Sequence, residues 1–575
     1  MYQAITLTRL QVGALEGFEM ADTGVEWVDA LVVGSGFGGA AAACRLAEAG
    51  RSVLVLERGR TYPPGSFPRR PDEMAANFWD PSEGLQGVFD IWSFRHLESV
   101  VASGVGGGSL IYANVMLRKD EHWFVRDAGP SGGYESWPVT REDLEPWYDR
   151  AEKMLGATGN PYPYTHLTPK TQAMRRAADR LGMDWFRPPL AISFAGEGKR
   201  PGDPIPDSSD NIHKVPRLSC RLCGECDIGC NDGAKNSLDF TYLSAAVRAG
   251  AGLQDRSEVK EIEPIRGGYE VRYVRHHEEN RGTRRGSGQQ GRTVVRCRTL
   301  VLGAGTFGST YLLLRNKKSL PGLSDALGTR FCSNGDLLGF VLDSPDKLNA
   351  SYGPVITSTM RIPDETDGGN GRGYYIQDGG YPGFVDWLVE AATLTGPVKR
   401  AARFALGRLL RNFGPHSTEI GTQLSALVGS GKLSGGALPL LGMGRDIPDG
   451  RLHLDGNFLE AEWNDASSRE YFGRVQASME AIAQELGGRF VINPTRHFRR
   501  IISPHPLGGV PMATNPDDGV VDAYGEAYGH PGLFVVDGSV LPGPVGANPS
   551  LTIAALSERF SERILERLDP RKAVA

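Results

Sequence analysis

Four cysteines stand within eleven residues, as Cys220-x2-Cys223-x2-Cys226-x3-Cys230. Thiolates at this spacing suit an iron–sulfur cluster. In two-cluster ferredoxins a proline follows such a run, and its fourth cysteine serves the other cluster. Here Asn231 follows and no second run exists. Either all four hold one [4Fe–4S] centre, or three hold a [3Fe–4S] centre with one spare. A tetrahedral zinc with four sulfurs is a rival, and four plain reduced thiols are another. The other cysteines, Cys44, Cys297 and Cys332, are scattered. An odd count with one tight cluster is not a secreted disulfide framework. It fits a reducing compartment, so a cytoplasmic location is expected.

A second chemistry lies near the N-terminus. Gly34-Ser-Gly36-Phe-Gly-Gly39 follows the apolar run Ala30 to Val33 and opens a helix with Ala40, Ala43 and Ala47 along one side. Gly50 ends that helix, and a second apolar run, Val53 to Leu56, ends at Glu57. In such a βαβ unit Gly34 allows the tight turn, Gly36 admits a pyrophosphate to the backbone, and Gly39 lets helix pack on strand. The helix N-terminus supplies N–H donors for phosphate. Glu57, 23 residues after Gly34, can accept from both ribose hydroxyls. The fingerprint does not say which dinucleotide binds. The loop Ser103-Gly-Val-Gly-Gly-Gly-Ser109 narrows the choice. Four glycines in five positions strip a loop of side chains, so backbone can lie against a large flat ligand such as an isoalloxazine ring.

The elements that position these groups need a long chain. At 575 residues two or more domains are expected, with cores large enough to need no disulfide or metal staple. Lys and Arg number 63 and Asp and Glu 68, a formal net charge of −5. That near-balance argues against nucleic acid as a partner. Glycine makes up 75 of the 575 residues, about 13 % and roughly twice the usual share. No run of 18 apolar residues exists, so no membrane-spanning helix is expected. Residues 1–24 lack a basic segment followed by an apolar one, so no export signal is expected, and 1–26 read as an N-terminal extension.

Five segments, in order, resemble the glucose–methanol–choline oxidoreductases, and within them the bacterial cholesterol-oxidase-like branch. They are the N-terminal fingerprint, SGVGGGSLIYANVM from Ser103, VLGAGTFGSTYLLLRN from Val301, HPLGG from His505, and GLFVVDGSVLPGPVGANPSLTIAALSER from Gly532. The resemblance spans about Trp27 to Arg567. It implies an α/β fold: a Rossmann-like FAD-binding domain with an inserted α+β substrate domain on an antiparallel sheet. The FAD domain is expected from 27–155, 240–335 and 501–575. The substrate domain is expected from 156–239 and 336–500, with the cysteine-rich segment 220–230. The resemblance implies FAD, with Gly106, Gly107 and Ser109 beside the flavin and pyrophosphate and Asn114 near the ring. It further implies the Val259 backbone on the adenine, and Asp537 and Gly538 closing on the ribityl chain and phosphates. Some FAD sugar dehydrogenases of the same family carry a cluster near a comparable cysteine-rich segment.

Oxidising an alcohol with flavin needs a group to take the hydroxyl proton, within hydrogen-bond reach and titrating near working pH, which suits histidine. Among eleven histidines, only His505 sits in a Pro-His-Pro-Leu-Gly-Gly context, where rigid backbone fixes a side chain. Asn548, in Gly-Ala-Asn-Pro-Ser, can hold the same hydroxyl. The family places His and Asn at these two positions beside the flavin. His416, His453 and His497 read as surface or structural. No Gly-x-Ser-x-Gly elbow follows a strand. Phe472, Val475, Met479, Ile482 and Leu486 recur at helical spacing and read as core. Residues 276–292 read as a polar hairpin insertion. Residues 398–411 carry one apolar and one basic face, which is either an ordinary wet face or a peripheral contact with an anionic bilayer. The expected activity is FAD-dependent oxidation of a bulky apolar, sterol-like secondary alcohol, with oxygen or a protein or quinone as electron acceptor. A sugar or polyol dehydrogenase with an iron–sulfur relay is the alternative. A flavin photodecarboxylase and an iron–sulfur carrier are more remote.

Overall fold

The computed structural model describes residues 26–569, apart from 70–72, 75, 126–134, 158–167, 278–290, 382–435, 494 and 497–498. The stretch 398–411, His416, His497, residues 1–25 and most of the 276–292 insertion therefore lie outside the described residues.

The fingerprint lies at the centre of a parallel sheet. Its strands run in the order Gly252–Gln254, Val53–Leu56, Glu26–Val33, Arg292–Leu302 and Leu533–Val535. The cores of the last four of these strands read VLVL, LVV, LVL and LFV. Unbroken apolar runs are what burial on both faces requires. The long strand Arg292–Leu302 serves two layers. Its second half joins the parallel sheet. Its first half pairs antiparallel with Gly268–Arg275, which pairs in turn with Ser257–Ile265.

Helix Phe37–Glu48 differs from the sequence expectation of a single apolar side. It is buried almost all round, from Gly38 to Cys44 and at Leu46 and Ala47. Helices Tyr242–Arg248 and Ser550–Leu568 pack on it from outside the sheet. Its alanines are small because three layers meet there. The Ser557 hydroxyl donates to the Gly38 carbonyl at 2.6 Å, and Arg45 grips buried Glu558 with two bonds of 2.7 Å. The first strand also begins earlier than the apolar run suggests, because it pairs with the long strand from Glu26 onward.

The second layer is a six-stranded antiparallel sheet. Its order is Arg489–Ile492, Leu337–Leu342, Leu438–Gly444, Tyr374–Asp378, Thr359–Ile362 and Asp184–Phe186. Helix Arg469–Glu485 covers it with Phe472, Val475, Met479 and Ile482, all buried. A small third sheet matters for position. Strand Leu97–Ala102 lies between Phe89–Ser93 and the parallel strand Ile501–Ser503. The first leads into the glycine loop and the last leads to His505, so both emerge from the same end of one sheet.

Candidate active site

The phosphate-binding turn is built by close approach. A Cβ on Gly34, which has φ +93°, would lie 2.3 Å from the Gly303 carbonyl oxygen, and one on Gly39 would lie 2.0 Å from that of Gly34. Gly36 differs. A Cβ there would meet nothing nearer than 3.9 Å, so its face is open toward a ligand. Gly36 caps the helix without a side-chain bond, leaving first-turn N–H groups for an anion. Glu57 is buried. One of its oxygens accepts from the Ser35 N–H at 3.0 Å and the Ser35 hydroxyl at 2.7 Å, and the other from the Gly59 N–H at 2.9 Å. A carboxylate has about four acceptor sites, so capacity remains for a ribose hydroxyl. The strand carrying Val259 starts here, since the Ser257 N–H donates to the Glu57 carbonyl at 2.7 Å. Val259 is buried opposite Tyr273, where the ladder register slips.

The glycine loop closes over the same turn. Gly106 donates its N–H to the Ser35 hydroxyl at 3.0 Å, and a Cβ on Gly107 would come within 2.7 Å of the Gly36 Cα. The Ser109 hydroxyl is turned into the loop, donating to the Gly106 carbonyl and accepting from the Leu238 N–H. The Asp537 carboxylate is likewise engaged. It accepts from the Gly305 and Ser539 N–H groups and from the Ser309 and Ser539 hydroxyls. Burial pushes this carboxyl up and those four bonds pull it back. It locks the turn before Gly538 against the second glycine turn, Gly303-Ala-Gly305, leaving backbone for a ligand.

Two buried groups here have no protein partner. Asn114, at φ +68°, leaves both amide atoms unpaired, and the Ser103 hydroxyl is unpaired too. Unpaired buried amides are costly. A polar-edged flat ring against the glycine loop would satisfy them, so these residues fit a flavin.

His505 is held from behind. Its Nδ1 lies 2.8 Å from an Asp336 oxygen. The other Asp336 oxygen accepts from the His505 N–H at 3.0 Å and the Ser503 hydroxyl at 2.8 Å. Asp336 is fully buried, which raises its pKa, while the His505 ring pulls it down. A carboxylate at Nδ1 favours the tautomer that carries its proton on Nδ1, which leaves Nε2 as the acceptor. Asn548 is buried and exchanges two bonds with Gln377, at 2.9 and 3.3 Å. One short loop supports both residues. The Asn334 amide bonds the Ala547 carbonyl and the Gly546 N–H, and Asp336 holds His505. Asp336, Asn334 and Gln377 are absent from the sequence reading. Each lies more than 160 residues from its partner in the chain, and no local pattern marks them.

The four cysteines line one shared cavity with Arg221, Lys235 and Gly353. None is in a disulfide. Separately, Asp120, His122 and Asp367 have ligand atoms close together, but Arg361 already pairs with both acids.

A dinucleotide cradle and, in the same chain, a histidine backed by a buried carboxylate are the parts a nucleotide-cofactor oxidoreductase needs. Residues 462–557 match the profile of GMC oxidoreductases, and residues 32–71 that of an NAD(P)-binding Rossmann-like domain. The chain is 30% identical over 563 residues to a cholesterol oxidase of Acinetobacter baumannii, covering 92% of this chain and 93% of that one. It is 31% identical over 564 residues to a cholesterol oxidase of Mycobacterium tuberculosis, covering 92% and 90%. Pyridoxine 4-oxidase from Mesorbium loti shares the fold, with a TM-score of 0.59 and 18% identity, covering 93% of this chain and 99% of that one. The chain belongs to the GMC oxidoreductase family, in its cholesterol-oxidase-like branch. It is an FAD-dependent oxidoreductase acting on alcohol CH–OH donors. Among the described residues no helix is long and apolar enough to cross a membrane.

Proposed function

We propose that the enzyme oxidises a bulky, apolar, sterol-like secondary alcohol to a ketone. The carrying observation is His505, whose Nδ1 is fixed by buried Asp336 at 2.8 Å while Nε2 stays free to accept. FAD supplies the two-electron acceptor for the hydride. The chain's own groups do the rest. His505 Nε2 takes the hydroxyl proton, as a positioned base must. Buried Asp336 fixes the ring and balances the imidazolium charge. Asn548, steadied by Gln377, offers its remaining amide proton to the substrate oxygen. Asn114 and Ser103 would hold the flavin, Glu57 the ribose, and the Val259 backbone the adenine.

The segments 27–155, 240–335 and 501–575 carry the cofactor, and 156–239 with 336–500 cover the substrate. The sterol reading is supported by the two cholesterol oxidases, alike over nine-tenths of the chain. The basic face of 398–411 is either an ordinary wet face or a contact that would bring the enzyme to lipid-dissolved substrate. The acceptor is oxygen, or a quinone or protein where the cysteines carry a redox metal. Anaerobic mixing with a sterol, a long-chain alcohol and a sugar tests this reading. Sterol should bleach the flavin absorbance fastest, and faster bleaching by sugar would replace it with the polyol dehydrogenase.

A further inference from the structure

Residues 333–336 carry both sides of the site. Asn334 holds the turn before Asn548, and Asp336 holds His505. All four residues are buried, and their backbone has an unusual shape. Asn334 at φ +55° and Gly335 at φ +67° lie in the left-handed region one after the other. Such a conformation persists only where its surroundings fix it. Space is tight as well, since a Cβ on Gly335 would lie 2.3 Å from the Tyr471 hydroxyl.

The groups that fix the loop come from the antiparallel sheet and its covering helix. The Gly444 N–H donates to the Asn334 carbonyl at 3.0 Å. The Tyr471 hydroxyl donates to the Gly335 carbonyl at 2.9 Å. Asp446, just beyond strand Leu438–Gly444, takes the first residue of the loop. One of its oxygens accepts from the Ser333 N–H and the Ser333 hydroxyl, both at 2.9 Å. The Ser333 carbonyl accepts from the Ser503 hydroxyl at 3.1 Å, and that hydroxyl also reaches Asp336 at 2.8 Å. It accepts in turn from the His505 N–H at 3.2 Å. Asp446, Ser333, Ser503, Asp336 and His505 thus form one bonded set. Asp446 is fully buried and is itself anchored. Arg372 donates to the carbonyls of Arg445 and Asp446 at 2.5 and 3.1 Å. Arg445 meets Asp364 with two bonds of 2.7 Å.

We propose that Asp446 is a positioning residue for alcohol oxidation: its grip on Ser333 sets the loop 333–336, and through that loop the His505 base and the Asn548 amide. This role rests on the reading of His505 as the base. Asp446 moves no proton in it. Its carboxylate acts as an acceptor for two donors of one residue, so a small slackening there displaces both groups that face the substrate oxygen.

The test is flavin reduction on anaerobic mixing, in the full flavin-loaded chain, by whichever of cholesterol, dodecanol and glucose reduces wild type fastest. Asp446→Ala should lower the limiting rate about 10- to 100-fold, as a misplacement near 1 Å does. Flavin content and the half-saturating alcohol concentration should change little. Asp446→Asn keeps an acceptor for Ser333 and should recover most of the rate. Combined with Asp336→Asn, Asp446→Ala should add much less than its own loss, because both act through one loop. An unchanged limiting rate, a loss that Asp446→Asn does not recover, or losses that multiply in the double variant overturn the proposal. Where Asp446→Ala fails to fold, Ser333→Ala removes only the hydroxyl bond. It should slow reduction about 2- to 10-fold, the worth of one neutral hydrogen bond, and an unchanged rate there overturns the proposal equally. His505→Ala, measured alongside, keeps the two readings apart. A slow His505→Ala beside a fast Asp446→Ala sinks the role of Asp446 alone. A fast His505→Ala, or a wild type that none of the three alcohols reduces, sinks the base reading and this role with it.

Discussion

The buried carboxylate of Asp336 meets the His505 ring at 2.8 Å and the His505 backbone N–H at 3.0 Å, so one acid fixes both the place and the tautomer of the base. Asp336→Asn keeps the size but can donate to Nδ1, leaving Nε2 as the wrong donor. Turnover should fall by at least about 10²-fold. KM and flavin content should change little. A raised KM with unchanged kcat would show that Asp336 only shapes the pocket.

His505→Ala removes the base itself. Turnover with alcohol should drop about 10²–10⁴-fold, the usual worth of one acid–base group, with flavin retained. Loss of flavin with unchanged activity per flavin would make His505 structural.

Glu57→Gln puts an amide where Ser35 and Gly59 need an acceptor. FAD affinity should weaken by about 1–3 kcal/mol, the worth of a charge-assisted hydrogen bond. Equilibrium titration of the apoprotein measures it. Equal affinity in both proteins would take the ribose away from Glu57.

Gln377→Met keeps the volume but strips Asn548 of its amide partner. A buried amide left unpaired costs about 1–3 kcal/mol, so denaturant midpoints should fall. Flavin reduction by substrate should slow as the Asn548 amide turns freely. Unchanged stability would mean that water replaces Gln377.

The cradle was legible because a βαβ turn is local. Gly34, Gly36, Gly39 and Glu57 lie within one short stretch, and steric demands on glycine are written in the sequence itself. His505 and Asn548 stood out through rigid, Pro-flanked surroundings and a family resemblance. Their partners were not legible. Asp336 and Gln377 meet their partners only on folding, across 169 and 171 residues of chain, and a lone Asp before a strand or Gln inside one looks like any other. Helix Phe37–Glu48 was placed but its burial was underestimated, since nothing local reveals that Ser550–Leu568 returns to cover its outer face. Ser109 and Asp537 lie in the expected loops, with side chains turned inward to hold backbone.

Asp446 gives the last prediction, a stability that falls as pH rises. One of its oxygens accepts from the Ser333 N–H and hydroxyl, both at 2.9 Å. The other is buried without a partner. Burial is the main cause that pushes its pKa up to about 7, from the ordinary 3.8. The Ser333 bonds and the Arg372 charge pull it down, and the Asp336 charge raises it. A raised folded-state value means the folded protein binds a proton that the unfolded chain has released between about pH 4 and 7. Stability from this group is therefore present below pH 4 and lost as pH climbs to 7, by about 1.4 kcal/mol per pH unit at most. Asp446→Asn removes the titration while keeping an acceptor for Ser333. Its stability relative to wild type should improve steadily from pH 4 to 7 and level off above. Denaturant melts of the two proteins across that window measure the difference. A difference that stays flat with pH would show that Asp446 is ionised in the fold, paired more strongly with Arg372 than its buried, half-satisfied carboxylate suggests.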